Sequence, residues 1–218
     1  MTFNDLERAA TEVGLTVVGA FHPEPDDKAP AGSKVLCLLG PGGPEMWAEF
    51  STAPESRDGD PHPLDRWSRR VIEALARTFD ASAWFPFGGP PWQPFQHWAA
   101  RGEAATQSPV GLQVTRQRGL WASYRGALAF TQRFEIPVSD QQSPCLDCPA
   151  PCLIACPVDA FADGQYDVPA CIAHTDSLDG EACRAGCLVR AACPFGARLG
   201  LPTAQREFHM TAFRNANR

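Results

Sequence analysis

The chain has 218 residues, of which 44% are hydrophobic and 10% aromatic, and a formal net charge of −6. This composition supports a buried core, and the acidic balance argues against a protein that holds nucleic acid by neutralising phosphates. No run approaches the roughly 18 apolar residues of a membrane span, and the first eight residues lack a basic region followed by an apolar run, so the cytoplasm is the expected location.

In chain order, Asn4 is the expected cap of a helix that carries Leu6, Ala9, Ala10 and Val13 and ends at Gly14. Residues 15–21 and 34–39 read as strands. The prolines crowded between Pro23 and Pro63 predict long ordered loops. The clearest helix is expected over 64–79, where Leu64, Trp67, Val71, Ile72, Leu75 and Phe79 make one apolar stripe. A short strand at 81–85 and a helix over 92–100 follow. Residues 110–115 and 120–130 read as a hairpin whose turn, Arg116 to Gly119, uses glycine at positive φ. Antiparallel strands beside helices predict an α+β layer rather than a doubly wound parallel sheet. The polar, turn-prone stretch Pro137 to Pro144 reads as a linker between domains at 1–138 and 139–218. A last short helix over 203–213 has Phe208 and Phe213 available for docking.

Cysteine usage divides the chain sharply. Only Cys37 lies in the first 144 residues, inside an apolar strand, where a buried thiol is its expected role. Cys145, Cys148, Cys152, Cys156, Cys171, Cys183, Cys187 and Cys193 follow within 49 residues. In a reducing compartment such density means metal or redox chemistry rather than disulfides. A cube-shaped [4Fe–4S] cluster needs four thiolates approaching different corners, and a tight CxxC turn supplies two side by side. On a helix, the spacing of Cys152 and Cys156 would put both on one face. The run from Cys145 to Pro157 resembles the bacterial ferredoxin run, with one extra residue between Cys148 and Cys152. The crossed pattern of two-cluster ferredoxins implies Cys145, Cys148, Cys152 and Cys193 at one cluster, and Cys156, Cys171, Cys183 and Cys187 at the other. Two structural zinc sites of four thiolates each are the competing reading. The Cys-Pro ending of both sets favours iron–sulfur. Leu146, Leu153, Ile154, Phe161, Ile172, Leu188 and Phe195 are expected to keep water from the clusters.

The N-terminal part resembles a different family. Residues 14–21, 35–43 and 62–72, then Phe85-Pro-Phe-Gly-Gly-Pro-Pro91, residues 108–112 and Gly119 to Ala127, follow one another as in the epoxyqueuosine reductase and cobalamin-processing families. That resemblance implies a nitroreductase-like α+β domain fused to a small dicluster ferredoxin-like module. It also implies a corrinoid (cobalamin) in a cleft lined by Phe87, Gly88, Gly89, Trp92, Tyr124 and Arg125, where Arg125 either faces an anionic group or serves as a surface arginine or structural ion pair. Trp98 and Trp121 could stack on a planar macrocycle or fill core, and His97 could donate a proton or serve structure. One departure is clear. Epoxyqueuosine reductases carry an acidic proton donor after the strand matched by residues 81–87, whereas Gly88 and Gly89 occupy that region here and no carboxylate lies between Asp80 and Glu103. No helical-repeat extension is expected behind the clusters either, so the architecture is expected and epoxyqueuosine reduction is not.

Two functions share an electron-transfer centre. In one, the clusters pass single electrons to a corrinoid or other acceptor in the N-terminal cleft. In the other, the chain is a ferredoxin-like carrier whose N-terminal domain docks a partner. Either requires a redox partner protein or a small reductant.

Overall fold

The computed structural model describes residues 2–137 and 142–218. They form two compact units. One contains the chain up to Ala105 and the stretch that begins at Ser123; the other contains Thr106–Ala122 and Gln142–Arg218. Half of the expected linker, residues 138–141, lies outside the described residues, as does the expected boundary at 138/139.

The first unit is a four-stranded antiparallel sheet with helices. Helix α1 (Phe3–Glu12) is capped by Thr2, not Asn4: the Asp5 amide donates to the Thr2 hydroxyl at 3.3 Å, and the Thr2 amide donates back to the Asp5 carboxylate at 2.9 Å. Thr2 and Asp5 complete this reciprocal box, and Asn4 already lies inside the first turn of the helix. Strand β1 (Thr16–Phe21) leads by loops to β2 (Val35–Gly40). The proline-rich stretch expected as loop then contains helix α2 (Glu45–Thr52), anchored by buried Met46 and Phe50. Helix α3 (Pro63–Thr78) matches the expected stripe, with Leu64, Trp67, Val71, Ile72 and Leu75 buried. Phe79 sits at its C-cap, half-buried. Strand β3 (Ser82–Trp84) is short, and α4 (Phe95–Gly102) starts three residues later than expected, behind Pro90, Pro91 and Pro94, whose rings cannot supply amide donors to a helix.

The expected hairpin is the main correction. Strand β4 (Thr106–Gln107) pairs with β5 (Gln113–Val114), both in the cysteine-rich unit, while β6 (Gly126–Phe130) joins the large sheet. Residues 116–119 do form a turn, closed by a Thr115–Gly119 bridge with Gly119 at φ +53°. Residues 120–130 are no single strand, because Leu120 is buried among cysteines whereas Ala127 and Ala129 are buried in the sheet core. The strand order is β1-β2-β6-β3, antiparallel throughout, so the unit is α+β. Strand β2 is buried on both faces. Leu36 and Leu38 meet Phe95, Trp98 and Ala99 of α4, and the opposite face, carrying Cys37 and Gly126, receives α3.

The cysteine-rich unit has no long strand. It is built from turns, 3₁₀ segments and the helices α5 (Val168–Asp176), α6 (Glu181–Arg184), α7 (Leu188–Ala191) and α8 (Thr203–Ala216). Helix α8 runs three residues past its expected end. Phe213 stacks on Tyr166 with centroids 5.8 Å apart, and Tyr166 stacks on Phe161 at 4.4 Å. Arg214 of α8 also pairs with Asp176. No helix of the described residues is long and apolar enough to cross a membrane.

Candidate metal centres

The eight clustered cysteines divide into two groups of four around two cavities. Cys145, Cys148, Cys152 and Cys193 line one, together with Ser108, Val114, Leu120, Pro151 and Phe195. Cys156, Cys171, Cys183 and Cys187 line the other, with Phe161, His174, Leu188, Val189 and Met210. Each cavity therefore takes cysteines from both ends of the sequence cluster. Cys152 lies in a 3₁₀ turn (Pro151–Ile154) and Cys156 beyond it, so the two do not share one helix face; they border different cavities.

Local chemistry explains how short segments present so many thiols. Ala150 adopts the left-handed conformation at φ +51°, turning the chain between Cys148 and Cys152. Gly119 comes so close that a Cβ there would stand 2.8 Å from Cys193 Sγ and 2.3 Å from the Gly196 amide nitrogen. Only a glycine allows the Thr115–Gly119 turn to lie against this cavity. Residues 106–122, expected with the N-terminal domain, thus supply one wall of the first thiol cavity.

Within each group the thiols sense one another electrostatically. Burial pushes the Cys145 thiol up, and the neighbouring Cys148, Cys152 and Cys193 push it further. Cys152 is raised by burial and then by Cys193. Burial raises Cys183, with Cys187, Cys156 and Cys171 adding to it. Burial likewise raises Cys171, against a lowering by its hydrogen bond from Tyr166. Four thiolates in an apolar cavity repel, and only a bound cationic centre lets all four ionise together. The donor set fits such a centre. Among the described residues no three Cys, His, Asp or Glu side chains gather closely enough for a single metal ion. What the thiols surround is a cavity, a geometry suited to a multi-atom group reached from its corners.

The two cavities differ in their sulfur hydrogen bonds. At the second, the Ala160 amide donates to Cys156 Sγ at 3.3 Å and the Tyr166 hydroxyl donates to Cys171 Sγ at 3.2 Å. At the first, Ser108 contributes a buried hydroxyl oxygen without a hydrogen-bond partner. Neither Ser108 nor Tyr166 was flagged by spacing, because both reach the thiols through tertiary packing. The expected apolar shield is only half present. Phe161 and Leu188 line the second cavity and Phe195 the first, but Leu146 and Ile154 are 67% and 88% exposed and Leu153 is exposed as well. They sit at turn apices, where the chain reverses between ligating positions.

The residues expected in the N-terminal cleft assemble in part. The Arg125 guanidinium lies 5.9 Å from the Phe87 ring centre and donates to Asp65 Oδ1 at 3.2 Å. The first unit's burial disfavours its charge, and Asp65 opposes that effect. Arg69 stacks over Phe85 at 4.8 Å and over Phe87 at 5.6 Å, and approaches Gly88. Gly89 lies against the Trp92 ring, which is 66% exposed and fills no core. Tyr124 turns elsewhere: its hydroxyl donates to buried Glu103 at 2.8 Å. Trp98 is core, its Nε1 donating to the Asp27 carbonyl, and His97 Nε2 meets Asp27 Oδ1 at 2.8 Å. Trp121 belongs to the cysteine-rich unit, with Arg190 over its ring. Cys37 is buried in the sheet, as expected, and burial raises its thiol far above the ordinary range.

No protein-family model matches the chain, and no curated protein does either. Among solved structures it is similar to a selenomethionine-labelled epoxyqueuosine reductase, at 15% identity over 94% of this chain and 68% of that one, with a TM-score of 0.54. The epoxyqueuosine reductase of Bacillus subtilis, in a form with its catalytic loop swung out of the active site, aligns at 15% identity over 92% of this chain and 66% of its own, with a TM-score of 0.49. At such identity the first likeness is one of fold.

Proposed function

We propose that the chain is an iron–sulfur redox protein, with one [4Fe–4S] cluster held by Cys145, Cys148, Cys152 and Cys193 and a second by Cys156, Cys171, Cys183 and Cys187. The observation that carries this reading is the sorting of eight thiols into two four-thiol cavities, each drawing on both cysteine runs. A bound cluster of this type takes up and releases one electron at a time. The protein supplies the corners, the apolar lining and the sulfur hydrogen bonds that set the potential. Anaerobic purification followed by iron and acid-labile sulfide analysis tests it. Iron with matching sulfide supports the clusters; stoichiometric zinc without sulfide replaces them with structural zinc sites.

The electron acceptor is proposed from the fold. The first unit serves as the nitroreductase-like domain, and the Phe87–Arg125 region, with Gly88, Gly89, Trp92 and Tyr124 around it in sequence, is its candidate corrinoid or substrate cleft. The likeness to epoxyqueuosine reductase supports the fused architecture. The reaction in that neighbour's name is not carried over, because residues 81–102 contain no carboxylate. A second reading, a ferredoxin-like carrier, is favoured by the engagement of Arg125 with Asp65 and of Tyr124 with Glu103. Adding cob(II)alamin to the reduced protein separates the two: a cobalt spectrum changed to the base-off form supports the cleft, and an unchanged one supports the carrier.

A further inference from the structure

Ser108 stands outside every cysteine run, yet it borders the Cys145/Cys148/Cys152/Cys193 cavity. The residue is 6% exposed and its hydroxyl oxygen has no hydrogen-bond partner. Its backbone is fully engaged, with the amide donating to Leu112 at 2.9 Å and the carbonyl accepting from Gly111 at 2.9 Å. The backbone is therefore fixed and the hydroxyl alone is left over. A buried hydroxyl without a partner costs free energy, and such groups in native proteins ordinarily have an acceptor nearby. The cavity that it borders is lined by the sulfur-bearing side chains of Cys145, Cys148, Cys152 and Cys193. The second cavity already shows the corresponding contact, from the Tyr166 hydroxyl to Cys171 Sγ at 3.2 Å. The Tyr166 ring is held between Phe161 and Phe213, which fixes where its hydroxyl points.

We propose that Ser108 and Tyr166 set the two cluster potentials separately, Ser108 by donating its hydroxyl to a sulfur of the first cluster and Tyr166 by donating to the Cys171 thiolate of the second. The inference rests on the cluster reading above. A donor to sulfur stabilises the reduced, more negative state and so raises the potential of the cluster it touches. Uptake of the electron, here from dithionite, breaks no bond and needs no further reactant.

The test is a potentiometric titration of the full-length, anaerobically purified protein, followed by electron paramagnetic resonance. Wild type is compared with Ser108→Ala, Ser108→Thr, Tyr166→Phe and the Ser108→Ala/Tyr166→Phe pair. Ser108→Ala should weaken reduction of one cluster about tenfold, a shift of about 59 mV for a one-electron couple, and leave the other unchanged. Tyr166→Phe should lower the other cluster, the pair should lower both, and Ser108→Thr should restore the first. Potentials unchanged in a Ser108→Ala protein with full iron content would overturn the inference, as would both variants moving the same cluster. Loss of iron from Ser108→Ala without a shift in what remains would also overturn it, making the hydroxyl structural. Wild-type protein without iron or sulfide would instead remove the cluster reading itself.

Discussion

The sheet unit completely buries Leu6, Leu36, Leu38, Ile72 and Trp98, whereas two helices of the cysteine-rich unit are four residues long and much of its interior lining is thiol. A four-residue helix has hardly passed its nucleation cost, so these segments do not hold themselves. The sheet unit gains its order by removing apolar surface from water. In the cysteine-rich unit Val110, Val114, Leu120, Phe161 and Val189 make a small core around the sulfur atoms, and under the proposed reading the clusters supply much of the remaining free energy. The contrast teaches that, with the proposed clusters bound, one chain contains two kinds of stability, one written in hydrophobic pattern and one in ligand chemistry.

The strongest way to break that contrast is to remove iron. Chelation under anaerobic conditions should abolish amide-exchange protection in α6 and α7 while β2 and β6 keep theirs; equal protection in both units would contradict it. Next in size, Trp98→Ala should cost the sheet unit about 3–5 kcal/mol, since the indole is wholly buried and its Nε1 donates to Asp27. Denaturant unfolding measures it, and iron content should not change. Cys37→Ser should be milder, about 1–3 kcal/mol, from a hydroxyl buried on an apolar strand, again at full iron content; iron loss would mean that Cys37 is a ligand after all.

The smallest effect is expected at α8. Arg218 and Arg214 hold the Asp176 carboxyl below the usual range. A depressed carboxyl contributes stability above its unfolded pKa and loses it as pH falls through the folded one. Acid should therefore fray α8, and Asp176→Asn should produce the same slight loss of protection at neutral pH. Identical exchange in both proteins would assign α8 docking to the Phe213–Tyr166 stack alone.

These regions also differed in how far the sequence could be read. The α3 stripe was legible because helical periodicity is a local property, and so was the buried setting of Cys37. The cysteine runs stood out by their density, which is a property of the sequence alone. Helix α2 was hidden among prolines, since Pro44 precedes it and Pro54 follows it, and only Met46 and Phe50 betray its buried side. Residues 110–115 and 120–130 read as one hairpin, but Val110, Val114 and Leu120 find their apolar partners among the cysteines. Pattern shows that a residue will be buried and does not show against what. Ser108 and Tyr166 escaped for the same reason.

Double substitution tests the crossed cysteine sets most directly. Iron and sulfide would be counted in anaerobically purified Cys193→Ala, Cys145→Ala and Cys171→Ala proteins and in the pairs with Cys193. Each single variant should lose about half of the wild-type iron, because each removes one corner of one four-thiol set. Cys193→Ala/Cys145→Ala should lose no more than either alone, while Cys193→Ala/Cys171→Ala should lose nearly all. The reverse pattern, with full loss in the Cys145 pair and half in the Cys171 pair, would contradict the account.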